Sequence, residues 1–180
     1  MVLTEQETEI MRSKPWIEEP PMAETKIDHW QSLMDRAYDK WQTTDGTPKG
    51  WNYRQFLLNL DAVERKAVIL GNFHYQVCNG GLQQWVDNGY ASSAGPDLLT
   101  LLDEIGTETA KKVSEIVKKV LVHVDLSVEK GETYDYWLEE WIDEEEPDYI
   151  LEVQALDSPY YDLSDVFTAE VEKYLVELTG

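Results

Sequence analysis

Apolar residues recur at helical spacing along most of the chain. Ile27, Trp30, Met34, Tyr38 and Trp41 follow one another at intervals of three and four residues, which is the spacing of one face of an α-helix. No segment alternates apolar and polar residues over a convincing length. The same helical spacing predicts further helical stretches over residues 53–60, 63–78, 98–105, 107–124, 134–142 and 163–178, with a short element over residues 82–86. The pattern therefore predicts an all-α fold.

Turn-forming residues mark the expected helix boundaries. The sequence Asn79-Gly80-Gly81 is expected to close a helix at its C-terminus, because Asn and Gly tolerate the left-handed conformation found there. Pro96, in Gly95-Pro96-Asp97, is expected in the first turn of the next helix, where a missing N–H costs little. Thr107 is expected to begin the helix after that.

The chain is expected to contain one domain and a short arm. Residues 1–22 carry Pro15, Pro20 and Pro21 with little periodicity, so we expect a flexible N-terminal arm there. Residues 23–180 should form a single compact multi-helix domain, because 180 residues fit one domain. Hydrophobic residues make up 42% of the chain, which is too many for a disordered acidic tail.

Charge is the most unusual property of the sequence. The formal net charge is −21, and residues 131–180 contain 16 acidic side chains against one basic side chain, Lys173. The C-terminal third is therefore strongly acidic. A charge of this sign opposes direct binding to nucleic acid or to an anionic membrane, and it favours a basic partner.

The sequence also suggests a cellular location. The N-terminus lacks the basic region and apolar run of a secretory signal. No apolar stretch approaches the roughly 20 residues of a membrane span. Cys78 is the only cysteine, so the chain cannot form an internal disulfide. We therefore expect a cytoplasmic protein.

The segment Trp137–Glu152 combines an apolar stripe with a row of carboxylates. If Trp137 and Trp141 face the core of a helix, the acidic residues between and after them face outwards. Carboxylates one turn apart lie about 6 Å apart along the axis, so such a row can approximate a track of phosphates. The carboxylates predicted to bind a partner as DNA mimics are Asp135, Glu139, Glu140, Asp143, Glu144, Glu145, Glu146, Asp148, Glu152, Asp157, Asp162, Asp165 and Glu172.

The sequence gives no support for catalysis or for a metal or other cofactor. None of the three histidines has Glu three positions before it, the pairing that a di-iron site in a helical bundle needs. His74 and Cys78 lie one helical turn apart, but both fall on the apolar stripe, so we expect them to pack in the core. We therefore predict a protein that is not an enzyme and that holds no cofactor.

The stretch "QVCNGGLQQWVDNGY" (residues 76–90) resembles the signature of a bacterial helical domain family that includes a double-stranded-DNA mimic protein. The matching positions are Asn79, Gly80, Gly81, Leu82, Gln84, Trp85 and Asn88. The later stretches "LLTLLDEIGTETAKKVSEIV" and "LDSPYYDLSDVFTAEVEKYL" are also similar to the family, so the resemblance covers about residues 50–180. The chain departs from the family at Leu82, often Phe, and at Cys78, often polar.

The resemblance implies a helical fold and a non-catalytic activity, in which an acidic surface occupies the DNA-binding face of another protein. We expect the signature itself to be structural, with the amides of Asn79 and Asn88 bracing the turn. The partner would be a basic DNA-binding protein: a transcription regulator, a nucleoid protein, or a defence nuclease such as a restriction enzyme or CRISPR effector. A homodimer is possible and would lengthen the charge track. The alternative is an interaction or immunity module that binds through exposed aromatic side chains.

Overall fold

A computed structural model describes residues 27–41, 53–124 and 148–180. Within these ranges the chain forms helices and no strand, which confirms the predicted all-α class. The predicted arm and the carboxylates at positions 135–146 lie outside the described residues. No described helix is long and apolar enough to cross a membrane. The helices are α1 (Asp28–Trp41), α2 (Tyr53–Leu58), α3 (Ala62–Asp87), α4 (Tyr90–Ile105), α5 (Glu108–Leu121), α6 (Asp148–Gln154) and α7 (Asp157–Thr179).

Helix α3 is the centre of the fold and contacts α1, α2, α4, α6 and α7. Its residue Phe73 is fully buried and meets two other rings edge to face. The ring centroid of Phe73 lies 5.2 Å from that of Trp85 and 5.2 Å from that of Tyr160. Edge-to-face contacts of this kind add to the free energy that burial of the rings provides. The apolar face of α7 thus packs against the middle of α3.

Helix α1 is fixed to α3 by an apolar contact and by an ion pair. Trp30 is fully buried, and its indole Nε1 donates a hydrogen bond to the carbonyl of Ala67 at 2.9 Å. Glu64 of α3 is only 2% exposed, and the ammonium group of Lys40 in α1 binds both of its carboxylate oxygens. A buried carboxylate is costly unless it is paired, so this contact fixes the position of α1.

Of two predicted helix starts, the one at Thr107 is confirmed and the one at Pro96 is wrong. Thr107 caps α5 as predicted: its Oγ1 accepts a hydrogen bond from the N–H of Ala110 at 3.1 Å. The prediction for Pro96 was wrong, because α4 begins at Tyr90 and Pro96 lies inside it. Tyr90, Ala91 and Ala94 of the preceding turns are buried, and we attribute the earlier start to this burial, which offsets the one hydrogen bond that proline removes.

The N-terminus of α1 is capped by a side chain from the last helix. Both carboxylate oxygens of Glu172 accept backbone hydrogen bonds, one from His29 at 2.9 Å and one from Trp30 at 2.8 Å. The first N–H groups of a helix have no partner within the helix, and a negative charge is favourable there. Glu172 therefore joins the beginning of the described chain to its end.

We expect Glu172→Ala to lower the free energy of unfolding by about 1–2 kcal/mol, because it removes the cap of α1. Glu172→Gln, which keeps one acceptor oxygen, should lose less. Glu177→Ala is the matched control: Glu177 is exposed and meets only Lys173, at 3.8 Å, so its loss should cost under about 0.5 kcal/mol. Urea unfolding followed by circular dichroism measures all three. Equal losses for Glu172→Ala and Glu177→Ala would contradict the assignment.

Candidate functional site

Two of the predicted partner-binding carboxylates lie free on the surface of α7. Asp162 and Asp165 are exposed, and neither forms a hydrogen bond or an ion pair with the described residues. They are three positions apart in the sequence, so they lie about 4.5 Å apart along the helix axis and on the same side of it. These two carboxylates are available to a basic partner.

The other described carboxylates of the predicted set differ in their surroundings. Glu152 in α6 is 65% exposed, and its Oε2 lies 3.1 Å from Nε2 of His123, which is charged only when protonated. Asp148 begins α6. Asp157 and Glu172 have hydrogen bonds inside the protein: Glu172 caps α1, and Asp157 accepts the N–H of Leu82 at 2.8 Å. The predicted set thus includes residues with structural roles.

The signature Asn79-Gly80-Gly81 ends the regular first part of α3 at a bend, as expected, and a second helical part follows. Gly80 has φ −155° and ψ 24°, and Gly81 has φ 78° and ψ 178°. The helix resumes at once after the bend, and its new first turn is capped by Asp157 from α7. A Cβ atom on Gly81 would lie 2.5 Å from Oδ2 of Asp157. Gly81 is therefore required both by its backbone conformation and by the close approach of α7.

Four side-chain amides lie across this bend. The amide of Asn79 donates to Oε1 of Gln84 at 3.2 Å. The amides of Gln84 and Asn88 both donate to Oε1 of Gln76, at 2.8 and 2.6 Å. These hydrogen bonds connect α3 before and after the bend, which is the bracing role expected for Asn79 and Asn88. Trp85, the aromatic residue of the signature, is buried against Phe73.

The bend also holds the beginning of α7 through two tyrosines. The hydroxyl of Tyr161 donates a hydrogen bond to the carbonyl of Val77 at 2.9 Å. The hydroxyl of Tyr160, which is buried, lies 2.8 Å from Nδ1 of His74. Together with the bond from Leu82 to Asp157, these contacts fix the first turns of α7. Asp162 and Asp165 follow directly, so the bend positions both carboxylates.

His74 and Cys78 are in contact, but the surroundings disfavour a thiolate at Cys78. The Sγ atom of Cys78 lies 3.7 Å from the His74 ring. Partial burial of the thiol, in a residue that is exposed as a whole, raises its pKa, which disfavours the nucleophilic thiolate. The expectation that Cys78 packs in the core was wrong, because it is exposed; the bend at Gly80 ends the regular helix close to it. Among the described residues, no group of three or more His, Cys, Asp or Glu side chains could hold a metal ion.

Three residues of this region were missed by the sequence analysis. Gln76 accepts two amide hydrogen bonds at the bend, Tyr161 fixes α7, and Glu170 accepts the hydroxyl of Thr107 at 2.5 Å. Gln76 could have been noticed as a polar residue inside an apolar helical stretch. Nothing in the sequence distinguishes Glu170 from its acidic neighbours, because its role depends on the packing of α7 against α5.

We expect Gly81→Ala to lower the free energy of unfolding by about 1–3 kcal/mol, because only glycine readily adopts this combination of φ and ψ. Gly106, with φ 69° and ψ 4°, lies in the left-handed helical region, which Asn tolerates. Gly106→Asn should therefore be milder than Gly106→Ala, whereas Gly81→Asn should be as harmful as Gly81→Ala. Thermal unfolding of the four variants tests this difference. Equal tolerance of Asn at both sites would contradict it.

Burial of His74 lowers its pKa, and the nearby Asp165 carboxylate opposes this shift in part. The unfolded state then binds more protons than the folded state just below the ordinary value of 6.5, so the free energy of unfolding falls as the pH drops through this range. We expect His74→Gln to reduce the difference in stability between about pH 7 and about pH 5. His29→Gln, which leaves His74 in place, is the control. An unchanged difference in His74→Gln would contradict the shift.

The comparison with known families agrees with this architecture. The chain matches the DMP19-like protein family over residues 58–178, from the end of α2 almost to the end of α7. No curated protein and no solved structure matches the chain. The DMP19 family is a DNA-mimic family, and this membership together with the all-helical fold points to a non-catalytic protein. The resemblance predicted from the Asn-Gly-Gly signature is thereby confirmed: the chain belongs to the DMP19-like protein family.

Proposed function

We propose that this protein is a DNA mimic whose acidic surface binds the DNA-binding face of a basic DNA-binding protein and blocks its access to DNA. The observation that carries the proposal is a pair of carboxylates, Asp162 and Asp165, which are exposed on α7 and form no ion pair with the described residues, in a protein of a DNA-mimic family. Carboxylates held on a packed helix keep a fixed spacing, as phosphates do on a duplex. A basic face can therefore bind them without ordering a disordered tail.

The distribution of charge supports an acidic surface on the side of α7. In α5, Lys111 pairs with Glu108 and Lys118 with Glu115, at 2.7 Å in both cases. Residues 148–180 contain eight acidic side chains and one basic side chain, Lys173. The negative potential is thus partly neutralised along α5 and concentrated near α7. Such a field attracts a basic protein and speeds its association.

We propose that the acidic surface includes carboxylates outside the described residues. Asp135, Glu139, Glu140, Asp143, Glu144, Glu145 and Glu146 precede Asp148 and Glu152 in the chain. In the proposal they add charges to the same surface, and a homodimer would lengthen it further. Asp157 and Glu172 contribute mainly by holding α7 and α1 in place.

The partner is defined by its chemistry, a basic surface that binds phosphates. A transcription regulator, a nucleoid protein, a restriction nuclease or a CRISPR effector each has such a surface. Complexes of this kind rely on attraction between exposed charges, so salt weakens them. The protein would inhibit its target by occupying the surface, without any chemical step.

A second candidate function is an interaction or immunity module that binds one partner through exposed aromatic side chains. It is favoured by Tyr161, which is 44% exposed on α7. The two functions differ in what charge changes do. Replacing Glu139, Glu140, Asp143 and Glu144 by lysine should abolish binding by a DNA mimic and should change an aromatic interface little.

We expect the protein to release DNA from its target complex, with an affinity that falls between about 50 mM and about 300 mM salt. The test is titration into labelled complexes of candidate proteins with DNA, followed by fluorescence anisotropy. Asp162→Asn with Asp165→Asn should weaken binding about two- to thirtyfold, because it removes two exposed ion pairs with the partner.

The matched control neutralises two exposed carboxylates on another helix. Asp97→Asn with Asp103→Asn on α4 changes the net charge by the same amount. It should reduce affinity less than the change on α7, because only a general loss of charge is involved. Failure of the unaltered protein to release DNA from any candidate, even at low salt, would count against the proposed function.

A further inference from the structure

An aromatic ring is held on the surface of α7 beside the exposed carboxylates. Tyr161 is 44% exposed, yet its hydroxyl is bound to the carbonyl of Val77. This hydrogen bond restricts the ring, so a partner that contacts it need not order it first. Large aromatic residues that are already fixed make favourable contact sites, because little conformational entropy is lost on binding.

The two carboxylates lie within one helical turn of this ring. Tyr161 and Asp165 are four residues apart, so their Cβ atoms are about 5–6 Å apart on one side of α7. Asp162 precedes Asp165 by three residues and has the same neighbour relation to it. Val166, 54% exposed, follows Asp162 by four residues. The face of α7 formed by Tyr161, Asp162, Asp165 and Val166 therefore mixes apolar and anionic groups.

No described basic side chain neutralises this face. Lys173 is about two turns further along α7 and lies 3.8 Å from Glu177. Burial lowers the pKa of His74, the side chain whose charge Asp165 influences, and so favours its neutral form. The charge on the face is thus available to a cationic group, while the ring and Val166 offer apolar contact beside it.

We infer that this face of α7 binds arginine side chains of the partner in preference to lysine. A guanidinium group is planar, stacks on an aromatic ring, and can bind a carboxylate through two parallel hydrogen bonds. An ammonium group is a more strongly hydrated point charge that gains less from the ring. The inference rests on the proposed function and specifies its partner: the basic surface should present arginine where it meets α7.

The test uses two labelled peptides that are identical except that every basic residue is arginine in one and lysine in the other. Binding to the full-length protein is measured by fluorescence anisotropy at about 50 mM and about 300 mM salt. We expect the arginine peptide to bind about two- to fivefold more tightly, the range of an exposed cation–ring contact. The preference should remain at the higher salt, because stacking is screened less than attraction between charges.

Two variants of Tyr161 separate the ring from its hydroxyl. Tyr161→Phe and Tyr161→Leu both lose the hydrogen bond to Val77, so any effect of that bond on folding is shared. Tyr161→Phe should keep the preference for arginine, and Tyr161→Leu should reduce the ratio of the two affinities to about one. Asp162→Asn with Asp165→Asn should weaken binding of both peptides more than Asp97→Asn with Asp103→Asn does.

Equal affinities for the two peptides would overturn the inference, as would an arginine preference that Tyr161→Leu leaves intact. The proposed function is assessed separately, by DNA release with the unaltered protein. If DNA is released but the two peptides bind with equal affinity, the proposed DNA-mimic function is retained and the inferred preference for arginine is wrong. If DNA is not released and neither peptide binds at low salt, both are wrong.

Discussion

The contact between the bend in α3 and the beginning of α7 determines the position of everything on the C-terminal helix. Gly81 allows α7 to approach closely enough for Asp157 to cap the second part of α3. Tyr161 adds a second hydrogen bond to the same segment, and Phe73 packs against Tyr160 beneath it. Polar and apolar contacts between α3 and α7 thus occur at the same place. These contacts set the orientation of the exposed carboxylates of α7.

Several of the acidic side chains lie at helix N-termini, where a negative charge stabilises the helix. Asp61 caps the first part of α3, Asp157 caps the second part, and Glu172 caps α1. Glu170 binds the hydroxyl of Thr107, which caps α5. The positions of Asp61, Asp157 and Glu172 favour a carboxylate, because N–H groups without a partner in the helix and the helix dipole converge there. Several acidic residues therefore support the domain, although the total charge of the chain opposes compaction.

The helical period of α7 separates its apolar, core-facing residues from the exposed carboxylates Asp162 and Asp165. Phe167, Val171 and Leu175 face the core, which leaves Asp162 and Asp165 on the outer side. One helix thereby stabilises the protein through its apolar face and presents charge on its outer side. A substitution on the outer face can change binding without unfolding the protein. A substitution at the bend affects both, because it moves the helix that carries the charges.

The sequence by itself determined the helical class, most of the buried face of α1, the cap at Thr107 and membership of the family through the Asn-Gly-Gly signature. These features depend on local spacing and local hydrogen bonding, which a sequence displays directly. Only the tertiary structure decided which acidic residues are structural. In the sequence, nothing distinguishes Asp157 and Glu172 from Asp162. In the structure, Asp157 accepts a hydrogen bond from an N–H group 75 residues away, and Glu172 accepts two from N–H groups 142 and 143 residues away. The start of α4 at Tyr90 also depended on packing, because contacts with other helices outweighed the local preference of proline, and the second part of α3 is capped by Asp157 from α7.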